Sequence, residues 1–351
     1  MTNFLDMSAK KKVDLIIDAD TAGDDVASLV LACLHANVRL LAVTVCMGNV
    51  DFDQQIRNTL YTLEQCDAEQ RVRVYAGSRQ PLEGNVQLAT EVHGLDGMGD
   101  ANFPPPIRAT IATGEDAVSA LIRLTGQRPG QLTILAQAPL TNIAKAVMRD
   151  PNFARNTKRL FIMGGTYFCR GNVTPAAEYN FFVDPKAASI VLQAGFAQCY
   201  LIDWGVCVRD GFWDFHFLDR LAKSDAKLAK FILAVIRRNL AFCKTAQRMD
   251  GTIGSDSLVM AVIADESICR GWIACYMQVE TTGQLTRGAT VVDNLDAERI
   301  NVRVCKGVDS SNDNLLANNY RFSVSETDLI ACEGCNGPLG AKSIRPVLLA
   351  P

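Results

Sequence analysis

The stretch Asp18-Ala-Asp-Thr-Ala-Gly-Asp-Asp25 puts four carboxylates into eight residues. The run before it, Val13-Asp-Leu-Ile-Ile17, is apolar enough for a buried strand of a parallel sheet. The residues after it, Val26 to Leu34, carry apolar side chains at helical spacing. The acidic cluster therefore falls at a strand-to-helix turn. A plain helix cap needs one acidic residue, not four. Carboxylates this dense repel one another unless a cation sits among them, and hard oxygen donors are what Mg²⁺ or Ca²⁺ requires. In open α/β sheets ligands bind beyond the carboxyl ends of the strands, which is where Asp18 and Asp20 fall, with Asp24 and Asp25 on the first helical turn.

Outward from this stretch the chain alternates strand and helix. Strands are expected at 39–46, 71–75, 131–137, 159–163 and 198–203, with helices at 51–66, 115–125 and 186–194 between them. Pro139 suits the first turn of a helix opening at Ala138-Pro-Leu-Thr-Asn142. Residues 76–114 and 171–184 lack periodicity and read as long loops, a length that is usually functional or disordered. Beyond Gly211 the pattern turns helical over 217–249 and 256–264, and strands return at 273–281 and 300–304. The expected fold is α/β: a doubly wound, mostly parallel sheet with helices on both faces and a helical addition in the C-terminal half. No repeat or linker composition divides it. Residues 1–12 are expected to be a disordered leader, 13–331 one domain and 332–351 a tail.

At 351 residues, 48% hydrophobic and 21% charged, the composition is that of a soluble globular chain. A net charge of −3 gives no reason to expect nucleic acid or an anionic membrane surface. No apolar run approaches the length of a membrane span, and the first twelve residues lack the apolar core of a signal peptide. The twelve cysteines are scattered, which favours reduced thiols in a cytoplasmic setting. The single pair Cys332 and Cys335, with no second pair or nearby histidine, is read as structural or incidental rather than as zinc-binding.

Polar residues recur at the predicted carboxyl ends: Asp18 and Asp20, Asn49, Gln137, then Asn172, Glu178 and Asn180 beyond Met163. Amides and carboxylates suit a neutral, hydroxyl-rich ligand, and the scarcity of Lys and Arg argues against phosphate. Asp256 either caps its helix or faces the same crevice.

These motifs, in this order, resemble the inosine–uridine-preferring nucleoside hydrolases over roughly residues 13 to 325. The resemblance rests on the Asp-x-Asp-x-x-x-Asp-Asp cluster, Gly48-Asn49, His93 to Gly99, Pro139 to Asn142, Met163 to Gly165, Glu178-Tyr-Asn180, Asp184-Pro185 and Thr286 to Asp293. It implies a Ca²⁺ ion held by Asp20, Asp25, Asp256 and the backbone carbonyl of Gln137. It implies ribose contacts from Asp24, Asn172, Glu178, Asn180 and Asp256, with Asn49 and Met163 nearby, and Asp20 as general base. It also implies a small-molecule nucleoside substrate and a homo-oligomer, dimer or tetramer. Cleaving an N-glycosidic bond builds oxocarbenium character that such carboxylates stabilise.

One position departs from the pattern. Where inosine–uridine enzymes carry a histidine proposed to protonate the leaving base, this chain has Ser255, followed after the aspartate by Ser257. The resemblance then points to branches that favour purine nucleosides, with inosine and guanosine first. Of the three histidines, His93 is the substrate-contact candidate, while His35 is read as structural and His216 as remote. Trp204, Trp213, Phe168 and Arg248 are further candidates for the base. Two other readings remain. A nucleoside-binding protein without turnover follows from the missing histidine. A haloacid-dehalogenase-like phosphatase follows from Asp18-x-Asp20, although Ala22 stands where that family has Thr or Val.

Overall fold

A computed structural model describes residues 12–295 and 299–309; the expected leader, save Lys12, and the tail with Cys332 and Cys335 lie outside the described residues. The strands are β1 (Val13–Ala19), β2 (Val38–Val45), β3 (Arg73–Ala76), β4 (Thr133–Ala136), β5 (Arg159–Met163), β6 (Cys199–Ile202), β7 (Phe212–Asp214), β8 (Gly251–Ile253), β9 (Trp272–Val279), β10 (Thr290–Asp293) and β11 (Val302–Cys305). Nine of them form one sheet in the order β10-β9-β11-β6-β5-β4-β1-β2-β3, and β7 pairs with β8 in a separate ribbon.

From β3 to β11 the pairings are parallel; only β9 and β10 join antiparallel. The order 3-2-1-4-5-6 is that of a doubly wound sheet, in which the chain winds outward first in one direction from β1 and then in the other from β4. The direction reverses between β1 and β4, so a crevice opens beyond their carboxyl ends. Asp20 follows β1 and Gln137 follows β4, one on each side of that crevice.

The β1 side chains are buried on both faces because helices cover both. On one face the helices Asp24–Leu34 and Ser255–Ala264 pack together over Leu15, Ile17, Leu135 and Phe161. On the other, Ala117–Gln127, Thr141–Arg149 and Pro185–Leu192 cover Ile16, Ile134, Leu160 and Ile162. The helical addition is present as Phe215–Lys223, Lys227–Val235 and Arg237–Phe242. It ends in a single π-turn, Cys243–Gln247, closed by Arg248 at φ 56°.

Several local expectations are corrected. The β7–β8 ribbon and the strand Thr290–Asp293 carry too few residues for a clear period. Helix Tyr179–Val183 lies inside the 171–184 span read as loop. Pro139 stands ahead of the helix that starts at Thr141, not in its first turn.

Asp18 does not face the crevice. Its carboxylate accepts from Thr44 Oγ1 (2.5 Å) and Asn142 Nδ2 (2.8 Å) inside the sheet, and burial pushes its pKa up to about 7. Asn142 also accepts from the Ser78 amide and donates to the Val45 carbonyl, so one amide fastens β1, β2 and the loop after β3. Replacing it removes the side-chain partner of the buried Ser78 amide and one of the two donors to Asp18 Oδ1, together with its bond to the Val45 carbonyl. Asn142→Leu is expected to cost about 3 kcal/mol or more, read as a lowered midpoint in urea unfolding.

Candidate active site

The crevice is a cavity of about 230 Å³ lined by Asp20, Asp24, Asn49, His93, Gln137, Met163, Asn172, Glu178, Asn180 and Asp256. Ten of the eleven residues singled out from the sequence thus meet at one place. Asp25, the eleventh, is fully buried directly behind it. Its Oδ1 accepts from Gln137 Nε2 (2.8 Å), and its Oδ2 accepts from Asn49 Nδ2 (3.3 Å) and the Ala22 amide (3.3 Å).

Each acidic residue is positioned by a strand end or a helix start. Asp20 Oδ2 accepts from the Asn49 amide at 3.0 Å, and its Oδ1 is buried with no partner among the described residues. The turn that brings Asn49 there requires Gly48: a Cβ at that position would stand 1.9 Å from Asp20 Oδ2. Asp24 Oδ2 accepts from the Asp256 amide (3.1 Å), tying the start of one helix to the start of the other. Asp256 therefore faces the crevice, and the cap at its helix start comes from Asp24.

Burial pushes all four carboxylates upward: Asp24 to about 6, Asp25 to about 8, and Asp20 and Asp256 well above the ordinary value. Repulsion from neighbouring carboxylates adds to the rise at Asp20, Asp25 and Asp256. Among the described residues no Lys or Arg lines the cavity to offset them. The donor set is hard oxygen throughout, and Asp20 Oδ1 is an orphaned acceptor, so its chemistry fits a divalent cation. Among the described residues no three His, Cys, Asp or Glu side chains enclose an ion unaided.

The remaining polar groups keep spare bonding capacity. Glu178 accepts from the amides of Asn180 (2.9 Å), Gly165 (2.9 Å) and Phe181 (3.2 Å), capping the helix Tyr179–Val183. A carboxylate has about four acceptor positions, so one is left. Burial raises Glu178 to about 7. Asn172 accepts from the Tyr179 amide (2.8 Å), which leaves its NH₂ group. Asn180 donates to the carbonyls of Gln137 and Met163, both at 3.2 Å, which leaves its oxygen. The Gln137 side chain is engaged with Asp25 and Ser28, so what this residue offers the crevice is its carbonyl.

His93 packs beside Gly23, where a Cβ would meet its ring at 2.3 Å. Burial lowers its pKa to about 4, so the imidazole is neutral at pH 7. Among the candidates for contacting a base, only Trp204 lines the cavity. Trp213 is buried against Phe217, Phe168 is 80% exposed, and Arg248 is not part of the lining. The sequence reading missed a wall formed by Asn239, Phe242, Cys243, Gln247 and Ile253. Helical periodicity marked Asn239, Phe242, Cys243 and Gln247 as helical, and Ile253 fell outside every expected element; an apolar stripe does not say which turn overhangs a crevice far upstream in the chain.

Residues 15–312 match the family model described as inosine-uridine preferring nucleoside hydrolase. A rice protein (Oryza sativa subsp. japonica) described as a probable uridine nucleosidase is 35% identical over 226 residues, 64% of this chain. The chain spans 65% of that relative's length. Among solved structures, a plant nucleoside hydrolase superposes with a TM-score of 0.81 at 29% identity, covering 89% of this chain and 98% of that one. A purine-preferring ribonucleoside hydrolase from Gardnerella vaginalis gives 0.79 at 27% identity, covering 87% and 96%.

The geometry separates the two ends of Gln137. Gln137→Leu leaves the backbone carbonyl in place but strands Asp25 Oδ1 and the Ser28 hydroxyl. It is expected to destabilise the protein by about 2 kcal/mol or more in thermal unfolding.

Proposed function

The chain belongs to the inosine-uridine preferring nucleoside hydrolase family, and on that footing we propose that it hydrolyses the N-glycosidic bond of ribonucleosides in a Ca²⁺-dependent reaction. The observation that carries this reading is the convergence of buried Asp20, Asp25 and Asp256 with half-buried Asp24, and among the described residues no Lys or Arg lines the cavity. Asp20, Asp25, Asp256 and the Gln137 carbonyl would hold the ion. Bound there, Ca²⁺ lowers the pKa of a water and balances the carboxylate charge.

The chain's own groups do the rest. Asp20 would accept the proton of the attacking water from its place beside the ion it helps to hold. Asp24, Glu178 and Asp256 accept from ribose hydroxyls, Asn172 donates through its free NH₂, and Asn180 offers its oxygen. These bonds strengthen as positive charge develops on the sugar ring. Asn49 donates to Asp20 and Asp25 and, from the cavity lining, also stands beside the sugar.

For the base we propose a purine, inosine and guanosine first. Trp204 and Phe242 on the cavity wall offer a bicyclic base more stacking area than a pyrimidine. Asn239 accepts through its oxygen from Thr252 Oγ1 and Cys243 Sγ, which leaves its NH₂ as a donor beside Ser255. A uridine preference is the second reading, favoured by the name of the rice relative.

A reducing-sugar assay on inosine, guanosine, adenosine, uridine and cytidine, with and without a Ca²⁺ chelator, tests the proposal. Purine cleavage that the chelator abolishes is expected. Faster release from uridine than from inosine selects the second reading; silence on all five contradicts the enzyme. In the same assay Asp20→Asn is expected to lower kcat by about 10³-fold with little change in KM.

A further inference from the structure

The far end of the same sheet holds a second cavity that the proposed reaction does not use. Its volume is about 640 Å³, within the range of small-molecule sites. It lies beneath the starts of β1, β4 and β5 and beside the turn that follows helix Ser255–Ala264. That ten-residue helix spans about 15 Å, so a ligand here does not touch one in the crevice.

The charge of this cavity is opposite to that of the crevice. Lys12, Arg39, Arg128, Lys158 and Arg159 line it, against Asp14, Asp265 and Glu266. The excess is two positive charges in a chain whose net charge is −3. Asp14 alone serves two guanidiniums, Arg39 at 2.5 and 2.6 Å and Arg128. Arg159 pairs with Glu266, while Lys12 and Lys158 have no carboxylate partner among the described residues.

A second observation is independent of that balance. Thr133 is fully buried, yet among the described residues its hydroxyl has no partner; Nε of Arg159, whose side chain is 11% exposed, likewise has none there. Thr133 and Arg159 are register partners on β4 and β5, so their side chains leave the same face of the sheet side by side. Both groups can donate, and among the described residues neither meets an acceptor. A hydroxyl and a guanidinium N–H set side by side match the oxygens of one phosphate, which carries close to two negative charges at neutral pH. The rim adds Asn37, Gln131 and Gln198, amides suited to hydroxyl groups.

We propose that this cavity is a second binding site, one that takes a phosphorylated sugar with its phosphate against Thr133, Arg159 and Lys158. Calorimetric titration of the full chain with ribose 5-phosphate, inorganic phosphate and unphosphorylated ribose, at constant ionic strength, tests it. One equivalent of ribose 5-phosphate is expected to bind. Lys158→Gln, at an exposed position, and the isosteric Thr133→Val are each expected to weaken it about tenfold. Asp20→Asn is expected to leave it unchanged, which separates this site from the crevice. Tighter binding of the sugar phosphate than of free phosphate assigns the pocket to the ester; equal binding assigns it to phosphate itself. Failure of both to bind, equal binding of plain ribose, indifference to Lys158→Gln and Thr133→Val, or loss in Asp20→Asn overturns the proposal.

Discussion

The mutual repulsion of Asp20, Asp24, Asp25 and Asp256 is the constraint on which the rest of the architecture depends. Carboxylates drawn out of water, Asp20, Asp25 and Asp256 fully and Asp24 in part, cost free energy twice, once through lost hydration and again through one another. The fold meets part of that cost with fixed dipoles. Asp24 and Asp25 sit in the first turn of one helix and Asp256 in the first turn of another, where the positive ends of both helices favour anions. The Asp256 amide donates to Asp24, so the two helix starts are bonded to each other. Asn49 and Gln137 donate to Asp25 from the ends of β2 and β4. These donors orient the acids without neutralising them. Asp20 Oδ1 finds no donor among the described residues, and it is there that a divalent ion would supply the missing partner.

The sheet order makes this convergence possible. Because the winding reverses between β1 and β4, the loops beyond those strands diverge and leave room for a ligand. The loop after β5 and the helix Ser255–Ala264 complete the walls. A neutral, hydroxyl-rich ligand fits such a site: Asn172, Glu178 and Asn180 each retain an unused donor or acceptor after their structural bonds are made. Glu178 shows the dual use most clearly, since it caps a five-residue helix and keeps an acceptor position for substrate.

Much of this was legible in the sequence for a physical reason. Continuous apolar runs such as Val13–Ile17 and Arg159–Met163 mark buried parallel strands, and polar residues without a packing role mark strand ends. Those two signals locate Asp20, Asn49, Gln137 and Glu178 without knowledge of the tertiary structure. Asp18 was placed in the same cluster, yet its side chain lies inside the sheet against Thr44 and Asn142; local spacing does not say where a buried carboxylate finds its donors. Trp213 was grouped with Trp204 because both are aromatic, whereas one fills the core and the other lines the cavity. Asn239 and Phe242 gave no local signal, because their role depends on how the helical addition folds back over the crevice.

The central claim is that these carboxylates form a cation site, and thermal unfolding across a Ca²⁺ titration tests it most directly. An ion that binds only the folded state stabilises it by about 2.7 kcal/mol at a hundredfold excess over its Kd. The account predicts a Tm that climbs with the logarithm of Ca²⁺ concentration in the unmodified protein and stays flat in Asp20→Asn. A Tm indifferent to Ca²⁺, or one that rises equally in Asp20→Asn, would contradict it.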